Sequence, residues 1–266
     1  MPGALEMSES LIGRSVNRHH FPEKLTGDAK YSADLIMPGM LHAAILRSPH
    51  PHANILSIDT SKAEKLAGVK AVITPFNIPS GRLAVDLFIL DTRVRFVGDE
   101  VAAVAAVDPD IARKAIDLLD VRYEILPFIL DPDEALSKDA IKIHENGNLA
   151  IPEPINLERG DIEKGLIEAD EIFEDSYYIP AHSAAALEPR AALAYWDNGH
   201  LTIWKSTRGV HVERISLSNA LKIPTENIRI VGPFLGGGFG NKDETRLGAI
   251  SAVLAQKSDR PVRLEY

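Results

Sequence analysis

The sequence predicts an α+β fold in two units. Three observations carry that prediction. Over residues 12–125, short β-like runs are mixed with two short helical stretches, without regular βαβ alternation. Across 126–159, Pro127, Pro132, Gly147, Pro152 and Pro154 break the periodicity and mark a linker. A second set of strands and helices then runs over 160–266.

In the first unit, Leu41 to Leu46 is an apolar run between Pro38-Gly39 and Ser48-Pro49, and predicts a buried strand. Ile55 to Asp59 is a shorter strand. Thr60-Ser61 caps a helix near Lys62–Leu66 that Gly68 closes, and Val69 to Thr74 is strand again. The runs VRFV and VAAVAAV flank Gly98-Asp99-Glu100; a tight turn there would pair them, and a wider loop would separate them. Apolar residues at Ile111, Ala112, Ala115, Ile116 and Leu119 have helical spacing, with Asp108 placed to cap. Asp120 to Glu124 alternates like an edge strand.

In the second unit, Glu171–Ile179 and Ala191–Trp196 predict strands. Leu201–Lys205 pairs with the latter across the hairpin signal Asp197-Asn198-Gly199. Val210 to Leu221 is helical and is followed by Pro224. Ile228–Val231 is strand, a helix spans about Asp243 to Lys257, and Val262–Tyr266 is a last strand. Ending inside a strand leads to the expectation of a truncated chain or a split subunit.

Composition narrows the function. With 45% apolar and 25% charged residues, the chain is an ordinary globular one and not a disordered one. A net charge of −9 without a basic cluster argues against nucleic-acid binding. No apolar run nears the roughly 20 residues that span a bilayer, and the opening MPGALEMSES lacks the order of a signal peptide, so a cytoplasmic location is expected. The chain has no cysteine, which excludes disulfides, Cys-ligated clusters and thiol catalysis within it.

The sharpest chemical feature is the run IRIVGPFLGGGFGNKDE between a strand and a helix. Glycines let backbone N–H groups approach a ligand, and a helix N-terminus adds unpaired donors and partial positive charge. Together these suit an anion or an oxo ligand. Neither common nucleotide loop fits. The dinucleotide pattern from Gly236 meets Asn241 at its sixth position, and Lys242 is not followed by Ser or Thr. A glycine-rich turn alone is more often structural. Four glycines around one Phe favour a ligand loop, with Gly238 expected to exclude any β-branched side chain.

The histidines carry less. His50 and His52, split by Pro51, read as structural; His19, His20 and His144 read as solvated. His182 is the one weighed as a site residue, against simple packing. Glu188, before Pro189, is a strand-end carboxylate that ordinarily accepts a structural hydrogen bond. No nucleophile elbow and no H-E-x-x-H zinc motif occur.

Several segments together resemble one family. LTGDAKYSADLIMPGMLHAAILRSPHPHANILSIDT, RFVGDEVAAVAA and VRYEILPFILDPDEAL resemble successive parts of the α/β-hammerhead domain of molybdenum hydroxylase large subunits of the xanthine dehydrogenase/aldehyde oxidase type. ALEPRAALAYWD, STRGVHVERISLSNAL and IRIVGPFLGGGFGNKDE resemble the beginning of the molybdopterin-binding α+β domain. The match runs from about Ile12 to Tyr266 in the family's order.

The resemblance implies a molybdenum–molybdopterin cofactor, in a simple or dinucleotide form, completed by a C-terminal molybdopterin-binding region or subunit. It implies 2Fe-2S clusters and FAD on an iron–sulfur subunit and an FAD subunit, in an oligomer. It places Gly237, Gly238, Phe239, Gly240 and His182 at the cofactor, with the Phe239 N–H toward an oxo ligand. It places Asp243 and Glu188 at the substrate wall, and no catalytic base or metal ligand in this chain. His182 stands where many members have Gln, and Arg208 replaces a common Gln, which departs from the purine-oxidising pattern. The implied activity is hydroxylation of an aldehyde, N-heterocycle or aromatic substrate with water, and the chain alone is expected to be inactive. The alternative is a non-catalytic assembly module that keeps the fold without the cofactor.

Overall fold

The structure is a computed structural model that describes residues 12–151 and 155–266. MPGALEMSES and the linker prolines Pro152 and Pro154 lie outside the described residues. The element order after a short helix α1 (Phe21–Thr26) is β1 (Leu41–Arg47), β2 (Ala53–Asp59), α2 (Ser61–Glu64), β3 (Val69–Ile73), β4 (Arg93–Val94), β5 (Glu100–Ala106), α3 (Pro109–Ile116) and β6 (Asp120–Ile125). Then come α4 (Pro132–Leu136), α5 (Ile162–Glu168), β7 (Ala191–Asp197), β8 (His200–Lys205), α6 (Val210–Leu221), β9 (Ile228–Val231), α7 (Arg246–Ser258) and β10 (Val262–Glu265). The expected α+β class holds.

A mixed seven-stranded sheet has the order β3-β5-β1-β10-β7-β8-β9. In it β1 runs parallel to β10 and β8 parallel to β9, and the other pairs are antiparallel. A small antiparallel sheet, β4-β2-β6, lies apart from it in strand pairing. One sheet therefore joins the segment 12–125 to the segment 160–266, because β10 inserts between β1 and β7.

Strand β5 shows why the sequence builds two layers. All seven of its residues are buried. Ala103 and Ala105 face the larger core with α7, while Val101, Ala102 and Val104 belong to the core under the small sheet. A strand covered on both faces reads as a continuous apolar run, which is the VAAVAA signature. Helix α7 is buried along Arg246–Ala255 and packs over β7, β10 and β3. The segment around Leu83, Ile89 and Leu90 joins the same core. A fully buried Leu or Ile such as Leu247, Ile250 or Leu254 contributes about 2 kcal/mol of apolar transfer free energy.

Of the two caps that the sequence suggests, Thr60 fails: its hydroxyl bonds Glu64 Oε1, and the Ser61 N–H is taken by Asp59 Oδ1. Asp108 caps α3 by accepting from the N–H groups of Asp110 and Ile111, a contribution of about 1 kcal/mol. Asn198 (φ 46°) and Gly199 (φ 82°) form the left-handed turn that joins β7 to β8. His52 is buried and bonds the Pro127 carbonyl through Nδ1 at 2.6 Å, in line with a structural role.

Three further expectations of the fold change. VRFV and VAAVAAV do not pair: β4 joins β2, whereas β5 joins β1 and β3. Gly98 N–H and the Asp99 carbonyl bond Ser48, while Asp99 N–H closes a turn onto the Phe96 carbonyl at 3.2 Å, so a tight turn forms without pairing the two runs. Glu171–Ile179 forms no strand. Its β-prone residues have no neighbouring ladder among the described residues, and Phe173, Tyr177, Tyr178 and Ile179 are each at least 80% exposed. His144 is half-buried rather than solvated; burial first, then Arg95, pushes its imidazole below the usual histidine range. No helix among the described residues is long and apolar enough to cross a membrane.

Candidate functional site: a glycine loop clasped by buried ion pairs

Between β9 and α7 the chain leaves regular structure and turns through the glycines. Positive φ occurs at Gly237 (94°), Phe239 (48°) and Gly240 (85°). Glycine adopts that conformation freely, but for a bulky side chain it costs about 1–2 kcal/mol. Phe239 is therefore the outlier. Its ring is 77% exposed, so core packing does not hold it there. Among the described residues, the N–H groups of Gly237, Gly238, Phe239 and Gly240 find no acceptor in the chain, while Asn241 N–H closes the turn onto the Gly238 carbonyl at 2.9 Å.

The strict glycine requirement does not fall on Gly238, where the sequence reading places it. Gly238 has no positive φ, and a Cβ there would meet only the flexible Arg208 Cδ at 3.3 Å. At Gly236 a Cβ would stand 2.5 Å from Glu188 Cβ, and at Gly237 it would meet the Phe239 ring at 2.8 Å. Close approach thus falls on Gly236 and Gly237. Just upstream, Phe234 lies against Tyr31 and His20, with Lys24 Nζ 5.4 Å from its ring centre, so the N-terminal residues flank the loop.

The structure turns Glu188 inward. Its Oε2 accepts from the Gly236 N–H and from Lys242 Nζ, both at 2.6 Å, and Lys242 is fully buried. Asp243 is exposed and is held by Arg208, whose Nε donates to Oδ1 at 2.7 Å while Nη2 donates to Oδ2. The hydrogen bonds from Arg208 keep the Asp243 carboxyl below its ordinary range. His182 is exposed on the unpaired stretch before Glu188. The loop glycines, Glu188 and Asp243 are thus brought together, and His182 makes no hydrogen bond to them among the described residues.

Sequence reasoning missed the groups that fasten this loop. Lys242 stands out in the sequence only by failing the phosphate-loop pattern; nothing there pairs it with a carboxylate 54 positions earlier. Lys205 and Glu213 form a second buried pair at 2.7 Å, and Lys205 Nζ also donates to the Glu244 carbonyl. Arg246, the first residue of α7, donates to Asp99 Oδ1 at 2.7 Å, to Glu100 and to the Phe88 carbonyl. The run Gly98-Asp99-Glu100, with its two carboxylates, is legible only as a loop. Among the described residues no group of three or more His, Cys, Asp or Glu side chains is placed to hold a metal ion.

This arrangement can present free backbone donors to an anionic or oxo-bearing ligand, beside a polar Arg208–Asp243 rim. Comparison with known proteins identifies the two domains. Residues 26–127 match the aldehyde oxidase and xanthine dehydrogenase a/b hammerhead domain, and residues 143–266 match the molybdopterin cofactor-binding domain. Over 247 residues the chain is 40% identical to a probable xanthine dehydrogenase subunit of Bacillus subtilis (strain 168), a match covering 91% of this chain and 33% of that protein. Over 260 residues it is 36% identical to the nicotinate dehydrogenase large molybdopterin subunit of Eubacterium barkeri, covering 96% of this chain and 61% of that one. The fold superposes on quinoline 2-oxidoreductase from Pseudomonas putida 86 with a TM-score of 0.81 and 28% identity, over 96% of this chain and 34% of that one. The chain thus spans about a third of the Bacillus relative and of the solved structure. By its two domains and the order in which it carries them, the chain belongs to the aldehyde oxidase and xanthine dehydrogenase family of molybdopterin oxidoreductases.

Proposed function

We propose that this chain supplies the glycine-loop wall of a molybdopterin site in an oxidoreductase that hydroxylates an aldehyde, N-heterocycle or aromatic substrate with water. The observation that carries the reading is Phe239: a strained, exposed residue whose N–H and those of Gly237, Gly238 and Gly240 find no acceptor among the described residues. Backbone donors that reach a ligand, on a loop where a Cβ at Gly236 or Gly237 would collide, fit an oxo-bearing group. Gly237, Gly238, Phe239 and Gly240 would hold it, with His182 brought in from the preceding stretch. When bound, the molybdenum–pterin group supplies oxygen transfer from water and takes up the two electrons released. Asp243, oriented by Arg208, forms the substrate-facing rim.

The chain does not complete this site. It has no cysteine to ligate an iron–sulfur cluster. The apolar residues Phe173, Tyr177, Tyr178 and Ile179 are exposed and suit burial against a partner surface. In this reading a C-terminal molybdopterin-binding region or subunit covers them, and iron–sulfur and FAD subunits carry the electrons away. The test is molybdenum and pterin analysis of the 266-residue chain alone and of the complex purified with its native partners. Metal and pterin should appear only in the complex. Stoichiometric molybdenum with aldehyde or N-heterocycle turnover by the chain alone would overturn the division of labour.

A further inference from the structure

We propose that Glu188 and Lys242 are positioning residues that hold the glycine loop in its strained form before any ligand arrives. The inference deepens the cofactor-loop reading, on which its purpose rests. A single carboxylate oxygen, Glu188 Oε2, fastens both ends of the loop: the Gly236 N–H at its start and Lys242 Nζ at its end, each at 2.6 Å. Between these two anchors lie only Gly237 to Asn241, with Phe239 at the apex. Glu188 N–H in turn reaches the Gly236 carbonyl at 3.4 Å, so backbone and side chain grip the same residue.

The grip is rigid for reasons visible in its surroundings. Lys242 is 1% exposed and Glu188 7%, so water does not compete for the pair. The Gly236 backbone lies so close to Glu188 that no side chain fits between them. A non-glycine residue at positive φ persists only where its surroundings over-determine it. Phe239 has no packing to do so, being 77% exposed. Among the described residues, the hydrogen bonds that hold residues 236–242 are the Asn241–Gly238 turn bond, the two anchors on Glu188 Oε2 and the Glu188 N–H bond to the Gly236 carbonyl. The free N–H groups are therefore aimed in advance rather than on binding, which removes an ordering cost from recognition.

The test uses the cofactor-free chain and ¹⁵N relaxation of the amides of Gly237 to Asn241. Glu188→Met, which removes the acceptor, and the double variant Glu188→Met/Lys242→Met are compared with wild type. The double variant removes both charges together, which buried pairs commonly tolerate, so it keeps the test alive if the single variant unfolds. In both, order parameters over 237–241 should fall from about 0.85 to below about 0.6 while the β7–β8 hairpin stays rigid. Loop order parameters that match wild type in the folded double variant would overturn the proposal. So would a loss spread evenly over loop and hairpin, which marks general destabilisation. Because no cofactor is present, loop loosening together with normal molybdenum retention in the assembled complex would count against the cofactor reading alone.

Discussion

Replacing Arg246 by Met should destabilise the chain by about 3 kcal/mol at neutral pH. The guanidinium is 8% exposed and neutralises Asp99 and Glu100, each also 8% exposed or less. Removing one partner of a buried ion pair ordinarily costs about 3–5 kcal/mol. The low end applies because both carboxylates keep other donors. Glu100 retains Arg47 Nη1 at 3.0 Å and the Tyr266 hydroxyl at 2.9 Å, and Asp99 retains the Arg95 and Glu100 backbone N–H groups. Met also keeps most of the aliphatic stem. The pH dependence has a defined sign. Burial pushes the Glu100 carboxyl up, but Arg246, Arg47 and Tyr266 together hold it below its ordinary range. A depressed folded value contributes stability that is present above the unfolded value and lost as pH falls through the folded one. In the variant that contribution shrinks, so the difference from wild type should be full above the unfolded glutamate value of about 4.3 and narrow as pH falls through the lower folded value of Glu100. Urea unfolding across that range measures it, and a thermal scan at pH 7 should show a loss of about 6–12 °C. A penalty under about 1 kcal/mol, or one that does not change with pH, would refute the claim that a buried charge is left unpaired.

Other outcomes follow from single contacts. Gly236→Ala should lower the melting temperature by several degrees because its Cβ meets Glu188 at 2.5 Å, while Gly238→Ala should be nearly silent because Arg208 can move; equal effects would show that the loop is not gripped at its start. Burial raises the Glu244 carboxyl, with Lys205 opposing, so wild type loses stability as pH rises from about 4.3 through the raised value. Glu244→Gln should lack that slope in urea unfolding, and an unchanged slope would rule Glu244 out as its source. Trypsin should cut first near Arg159 or Lys164, and the nicked pieces should still co-elute in gel filtration because β10 is hydrogen-bonded between β1 and β7. Separation of the pieces, or a first cut within 94–106, would contradict the shared sheet.

Where one element's own residues determine its shape, the sequence could be read. The hairpin at Asn198-Gly199, the cap at Asp108 and the doubly buried β5 each follow from a local rule about φ, capping or two-faced burial. Glu171–Ile179 misleads because propensity describes a residue's fitness for a ladder and not the presence of a partner strand. The loop itself was legible through its glycines, yet the glycine that matters most for packing, Gly236, is singled out by Glu188, 48 positions earlier. Charge pairs of that reach leave no periodic trace. For the same reason Gly98-Asp99-Glu100 looks like an ordinary turn, although its two carboxylates bind an arginine 146 and 147 positions away.

Those long-range pairs explain why the first segment is needed by the second. Besides the Arg208–Asp243 pair and the Lys205 bond to the Glu244 carbonyl, the chain from Gly236 to Arg246 has three buried charged anchorages: Gly236 and Lys242 on Glu188, and Arg246 on Asp99 and Glu100. The first two are internal to the 160–266 segment. The third comes from β5 and the turn before it, so the hammerhead part sets where α7 begins. If the two fastenings act separately, Arg246→Met should shift α7 and lower stability while the Gly237–Asn241 order parameters stay near about 0.85, because the Glu188 clasp closes the loop on its own. If instead the Arg246 variant loosens the loop as far as the Glu188 variants do, the loop geometry is dictated from the hammerhead side. Glu188 would then be one link in that path rather than its origin.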